Sequence, residues 1–190
     1  MSTTATLSIV VITASLFLWV GCASTKATEE TAPYSAVKTE GSFEIRTYPE
    51  IKTASAAEKE GEESRDKRFM KLFGYIQGKN EAKQKIEMTT PVFMEGKEMK
   101  FVMPKVVAEK GAPASTNPDV TVGIIPARKV AVYRFSGWSN AKMETEATEK
   151  LRAWIKEQKL EAIGEPSKAF YNPPWTLGPL RRNEILIPIK

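Results

Sequence analysis

Tyr48-Pro49-Glu50-Ile51-Lys52-Thr53-Ala54 is paralleled later in the chain by Ile125-Pro126-Ala127-Arg128-Lys129-Val130-Ala131. A helix-period segment follows each copy. Further on, Met88-Thr89-Thr90-Pro91-Val92-Phe93 parallels Phe170-Tyr171-Asn172-Pro173-Pro174-Trp175, and Lys100-Phe101-Val102-Met103-Pro104 parallels Glu184-Ile185-Leu186-Ile187-Pro188. The offsets of roughly 77 to 84 residues are far longer than those of solenoid repeats, so the pattern predicts two fused half-domains rather than an array. Each half supplies one long helix and several antiparallel strands. The expected fold class is therefore α+β, a sheet or barrel with helices on one side and a pocket on the pseudo-twofold axis.

Period and punctuation place the elements. Residues 42–48 alternate, with Phe43, Ile45 and Thr47 on one face and Glu44, Arg46 and Tyr48 on the other, which predicts a half-buried strand. Residues 53–57 predict a second strand. Ser64 can cap a helix whose Phe69, Leu72, Phe73 and Ile76 recur at helical spacing, and Gly78 marks its end. Short strands are expected at 86–89, 92–94 and 100–103, and a loop at 107–118. Strands at 120–125 and 130–135 lead to a second helix capped near Ser139, with Met143, Ala147, Leu151, Trp154 and Ile155 as its apolar stripe. Gly164 and Pro166 close that region, and 184–189 is the last strand.

Composition narrows the chemistry. The charge of +5 comes from 28 Lys+Arg against 23 Asp+Glu and is spread along the chain. It forms no basic stripe, which argues against a nucleic-acid interface. There is no His, so the commonest general base and heme-iron ligand is missing. The single Cys rules out an internal disulfide and a cysteine metal cluster.

That cysteine, Cys22, closes a nearly unbroken apolar run over residues 7–20, too short for a comfortable transmembrane helix but suited to a signal-peptide core. The order of apolar run, small residues around Cys22 and polar stretch resembles a lipoprotein signal. This implies a signal peptide over 1–22, lipidation of Cys22, a flexible tether over 23–39 and a folded domain over 40–190. The other reading is an uncleaved N-terminal anchor. On either, the domain is exported and held at a bacterial membrane facing the periplasm, with the lipid bilayer as a partner.

Four segments, in order, are similar to the SOUL heme-binding family: Phe43-Glu44-Ile45-Arg46-Thr47-Tyr48; Tyr75-Ile76-Gln77-Gly78-Lys79-Asn80 continuing to Lys85-Ile86-Glu87-Met88-Thr89-Thr90-Pro91-Val92; Val130-Ala131-Val132-Tyr133-Arg134-Phe135-Ser136-Gly137; and Tyr171-Asn172-Pro173-Pro174 with Arg182-Asn183-Glu184-Ile185. The resemblance implies a distorted antiparallel β-barrel with two long helices, related to the gyrase-inhibitor-like small-molecule-binding fold. It also implies heme or another tetrapyrrole as ligand. Without His, the mode left open is noncovalent holding against an apolar surface near the first helix.

On that helix, Phe69 and Phe73 belong to the apolar stripe, which also suits packing on the sheet. Met70 and Tyr75 lie beside the stripe and can meet a flat apolar ligand, while Arg68 and Lys71 can pair with carboxylates such as heme propionates. Met88, Met94, Met99 and Met103 read as core, and Trp138 and Trp175 as packing residues. Glu184 alternates with Leu186 and has Lys100 as its counterpart in the other half; turned inward, the two would form a buried pair near the axis. Three functions compete. The first is a tetrapyrrole-binding module without a catalytic constellation. The second is a small-molecule hydrolase-like enzyme with Glu87 or Glu184 as base and Tyr133 or Tyr171 as donor. The third is an interaction lipoprotein that has lost its ligand.

Overall fold

Proline breaks a β-ladder because it has no N–H to donate, and here two prolines decide how the halves interlock. The computed structural model describes residues 29–58 and 65–190; the signal-like run, Cys22, residues 23–28 and Ser64 lie outside them. The strands are β1 (Glu30–Thr31), β2 (Ser35–Glu40), β3 (Phe43–Tyr48), β4 (Ile51–Ala57), β5 (Thr89–Thr90), β6 (Val92–Glu95), β7 (Glu98–Val102), β8 (Thr121–Ile125), β9 (Arg128–Phe135), β10 (Ser167–Phe170) and β11 (Asn183–Pro188). The helices are α1 (Arg65–Ile76), α2 (Lys105–Lys110) and α3 (Ala141–Glu157), with a 3-10 turn at Gly178–Leu180.

Nine strands form one curled antiparallel sheet in the order β2-β3-β9-β11-β10-β6-β7-β4-β8, and β1 pairs in parallel with β5 beside it. Leaving out β2, the order is palindromic about β10 and β6, so the duplication expected from the sequence is built into the sheet. At Pro49 the chain leaves β3, which pairs with β9, and enters β4, which pairs with β8. At Pro126 it leaves β8 and enters β9. Each half thus lends a strand to the other. Thr53 sits opposite Val102, and its counterpart Val130 sits opposite Pro188. By this register Lys100 matches Leu186, and Glu184 matches Glu98, two residues away from the alignment expected above. The Pro91–Pro173 match also fails, because Pro91 precedes β6 whereas Pro173 follows β10.

The sheet is covered on both faces. Outside, α1 packs Leu72, Tyr75 and Ile76 on Ala54, Ala56, Met99 and Phe101. In the other half α3 packs Ala147, Leu151, Trp154 and Ile155 on Ala131, Ile185 and Ile187. Inside the curl, Tyr48, Phe93, Val102, Val130, Val132 and Leu186 meet Ala32 and Tyr34 of the N-terminal segment. A pocket on the pseudo-twofold axis was expected, but among the described residues this inner face is filled.

Other differences have local causes. The stretch read as tether is structured from Glu30 onward: β2 is fully exposed and is held as an edge strand by its ladder to β3, which hydropathy does not register. The loop expected at 107–118 begins as α2, opened by Pro104 and closed by Gly111 at φ 93°. Residues 86–88 form no strand, since the Ile86 amide is taken by the Ile76 carbonyl at 2.8 Å. The cap of α3 is Asn140 rather than Ser139; its Oδ1 accepts the Met143 amide at 3.0 Å.

Candidate functional site

Helix α1 divides its residues between sheet and solvent. Leu72 and Ile76 face the core, Phe69 and Phe73 stack on each other and lean on the sheet, and Phe69 meets Phe101 edge-on. Two residues expected on the ligand side turn inward instead. Tyr75 is buried and donates its hydroxyl to the Pro113 carbonyl at 2.8 Å. Arg68 is buried as well, bonded to the Glu58 carboxylate at 2.6 Å and the Lys97 carbonyl at 3.0 Å, so its charge is taken up by the end of β4 and the turn between β6 and β7. Met70 remains outward, and Lys71 is half-buried beside it.

They line an open groove of about 420 Å³ together with Asp66, Lys67, Gly74, Lys79 and Asn117. That volume falls within the range of small-molecule sites. Met70, 61% exposed, supplies the apolar floor. Lys67, Lys71 and Lys79 supply cations, with Lys71 also bridging to Asp119 at 3.0 Å. Gly74 keeps the wall low, for a Cβ there would come within 3.2 Å of the Lys79 side chain. Lys67, Lys79, Gly74 and Asn117 were not among the sequence candidates. The first and third lie on the outward face of a helix read for its inward stripe, and the other two come from loops that folding brings alongside.

The pseudo-symmetric helix α3 has a groove too, of about 320 Å³, but with different chemistry. Glu144, Glu149, Thr145, Thr148, Arg152 and Lys168 line it with Ala141. Its two carboxylates are balanced by two cations, whereas the α1 groove sets three lysines against Asp66 alone, and it has no counterpart of Met70. Of the two, the α1 groove is the one suited to an amphipathic anion.

Glu184 lies elsewhere, inside the curl. It is buried, and its partner is Arg46 rather than Lys100. The Arg46 guanidinium meets the carboxylate in a two-pronged contact, 2.7 Å to Oε2 and 2.9 Å to Oε1. Arg182 Nε adds a bond of 2.8 Å, and the Tyr171 hydroxyl donates to Oε2 at 3.0 Å. Arg46 also reaches Glu44 at 2.8 Å and lies under the Tyr34 ring at 4.2 Å. Burial pushes the Glu184 carboxyl upward, but the hydrogen bonds and charge of Arg46, then Arg182, outweigh it and hold it below the usual carboxylate range. Burial and the nearby Glu184 charge push the Tyr171 hydroxyl well up. Lys100 instead binds Glu95 at 2.7 Å and Glu98 at 3.2 Å.

The four methionines read as core lie in or against the α1-side cluster. Glu87 is exposed, and Tyr133 packs beside Phe43 on the α3 side, so neither is brought next to Glu184. Trp138 and Trp175, expected to pack, are 56% and 81% exposed.

A model of the SOUL heme-binding protein family matches residues 29–188. No curated protein matches the chain. Among solved structures, the fold is similar to the EcmrR C-terminal domain (TM-score 0.54, 13% identity, 83% of this chain and 98% of that one). It is also similar to a hydrolase from Listeria innocua (TM-score 0.57, 10% identity, 81% and 94%) and to an uncharacterized conserved protein from the same organism (TM-score 0.55, 12% identity, 78% and 92%). At such identities the likeness is one of fold.

Proposed function

The chain belongs to the SOUL heme-binding protein family, and we propose that it binds heme or a related tetrapyrrole noncovalently in the groove on the outward face of α1. The observation that carries this reading is the pairing, in one open groove, of the exposed Met70 side chain with Lys67, Lys71 and Lys79. A tetrapyrrole is flat and apolar with carboxylates along one edge. Met70 and the methylene stems of the lysines suit the ring, and the ammonium groups suit the propionates.

The residues present fit a ligand held by its edge and face. They do not fit one hung from a histidine, because the chain has none. Bound heme would supply its own iron chemistry; what the protein's residues do is neutralise the propionates and cover one ring face. Glu184 takes no part, as its carboxylate is already bonded to Arg46, Arg182 and Tyr171 inside the sheet. That engagement also weighs against Glu184 as a catalytic base. Titration with hemin and with metal-free protoporphyrin tests the proposal: both bind with similar affinity if the ring and its carboxylates are what is recognised. Binding of hemin alone, with a low-spin spectrum of bis-nitrogen type, contradicts it.

The second part of the proposal concerns location. Lipidation of Cys22 would place the domain on the periplasmic side of a bacterial membrane, and the order of apolar run, small residues and cysteine supports it. Replacing Cys22 with Ser is expected to release the processed protein from membranes; retention in the membrane fraction after signal cleavage overturns this part.

A further inference from the structure

We infer that the end of the sheet carrying Trp138, Trp175, Leu177 and Leu180 is a bilayer-contacting face, its occupant the surface of the membrane that holds the anchor. The inference rests on the anchoring at Cys22 proposed above and not on tetrapyrrole binding.

Trp175, Leu177 and Leu180 are 81%, 66% and 71% exposed on the segment joining β10 to β11, and Trp138 is 56% exposed just after β9. The two segments meet: the Gly137 amide donates to the Gly178 carbonyl at 2.9 Å, and Arg181 lies over the Trp138 ring at 3.9 Å. Gly178 is required there, since a Cβ would fall 2.6 Å from the Trp138 indole nitrogen. The two joined segments thus present four exposed large apolar side chains, two of them tryptophans. Arg181 spends its donors on the carbonyls of Thr176 and Pro174, with no carboxylate bridged to it among the described residues, so it brings positive charge to the patch. Indole rings beside a cation match the headgroup layer of a membrane carrying anionic lipid.

Topology puts the chain's entry point at the same end. Thr31 pairs with Thr90, which leads straight into β6, and Val92 at the start of β6 sits opposite Phe170, where the Trp175 segment begins. Tyr34 reaches the same segment through Arg182, 3.4 Å from its hydroxyl. Seven residues lie between Cys22 and Glu30, eight Cα–Cα steps that span at most about 28 Å when fully extended. An acylated Cys22 therefore holds this end of the domain close to the bilayer.

The test uses the full chain reconstituted with phosphatidylcholine vesicles containing a minority of phosphatidylglycerol, with and without brominated acyl chains. Co-sedimentation reads the anchor, and quenching that differs between wild type and Trp175→Phe reads the face. Brominated lipid is expected to remove roughly half of the Trp175 emission, as for an indole at headgroup level. The double variant Leu177→Glu/Leu180→Glu, at two exposed positions, is expected to lose that quenching while still sedimenting. Sedimentation with equal quenching in wild type and Trp175→Phe overturns the face but leaves the anchor. Failure to sediment overturns both. Shielding of Trp175 from acrylamide in lipid-free protein of dimeric mass makes the occupant a second copy and likewise overturns the inference.

Discussion

Arg46 and Glu184 are two fully buried, opposite charges whose desolvation is offset by a geometry that leaves few donors or lone pairs unused. Removing one partner strands the other. Glu184→Gln is therefore expected to cost about 3–5 kcal/mol in chemical denaturation. Combined with Arg46→Met it should cost clearly less than the two single losses together, whereas Lys100→Met should add to it independently, within about 0.5 kcal/mol. The acid limb follows from the sign of the shift. A carboxyl held below its unfolded value adds stability that is full above the unfolded pKa of about 4.3 and fades as pH falls through the folded value. The gap between wild type and Glu184→Gln, wide at neutral pH, should accordingly narrow below about pH 4; a constant gap contradicts the ion pair. Alternation along the last strand showed Glu184 on the face of Leu186. Its partner was not legible. Arg46 alternates with Ile45 in a strand that reads as half-buried, yet this sheet is covered on both faces, and the charge points inward.

At the scale of elements, the long helices were legible because their apolar stripes are unbroken, and the exact cap was not, since Ser139 and Asn140 are both good capping residues. The Oδ1 of Asn140 accepts the Met143 amide, so Asn140→Ala is expected to lower stability by about 1 kcal/mol in thermal denaturation, with Ser139→Ala costing less. Strand β10 escaped notice for a different reason. Ser167 and Ala169 are its buried residues, small side chains at mid-sheet that carry no hydrophobic signal. Strand β2 buries nothing, and β1 is two residues long. These pieces owe their place to backbone pairing, which one sequence records poorly. The groove on α1 was partly legible. Met70 and Lys71 were found from their position beside the apolar stripe, but Lys79 and Asn117 reach it through the tertiary fold. Arg68 and Tyr75 were drawn inward by a carboxylate and a carbonyl that lie far along the chain or outside the helix.

Across the whole molecule, duplication makes a pair of helices on one sheet, exchanged strands lock the halves together, and the inner face is closed by its own side chains and the N-terminal segment. What distinguishes the halves is the outward chemistry of the two helices. One groove joins methionine to three lysines and a single Asp66, and the other sets Glu144 and Glu149 against Arg152 and Lys168. This asymmetry makes the central claim testable by absorbance titration of hemin into the full chain. Wild type is compared with Lys67→Glu/Met70→Glu on α1 and with Arg152→Glu on α3, all at exposed positions. The expected result is a saturable Soret change near micromolar hemin in wild type and in Arg152→Glu, weakened by about tenfold or more in the α1 variant. No saturable change in wild type, or the same affinity in the α1 variant, would contradict tetrapyrrole binding on the outward face of α1.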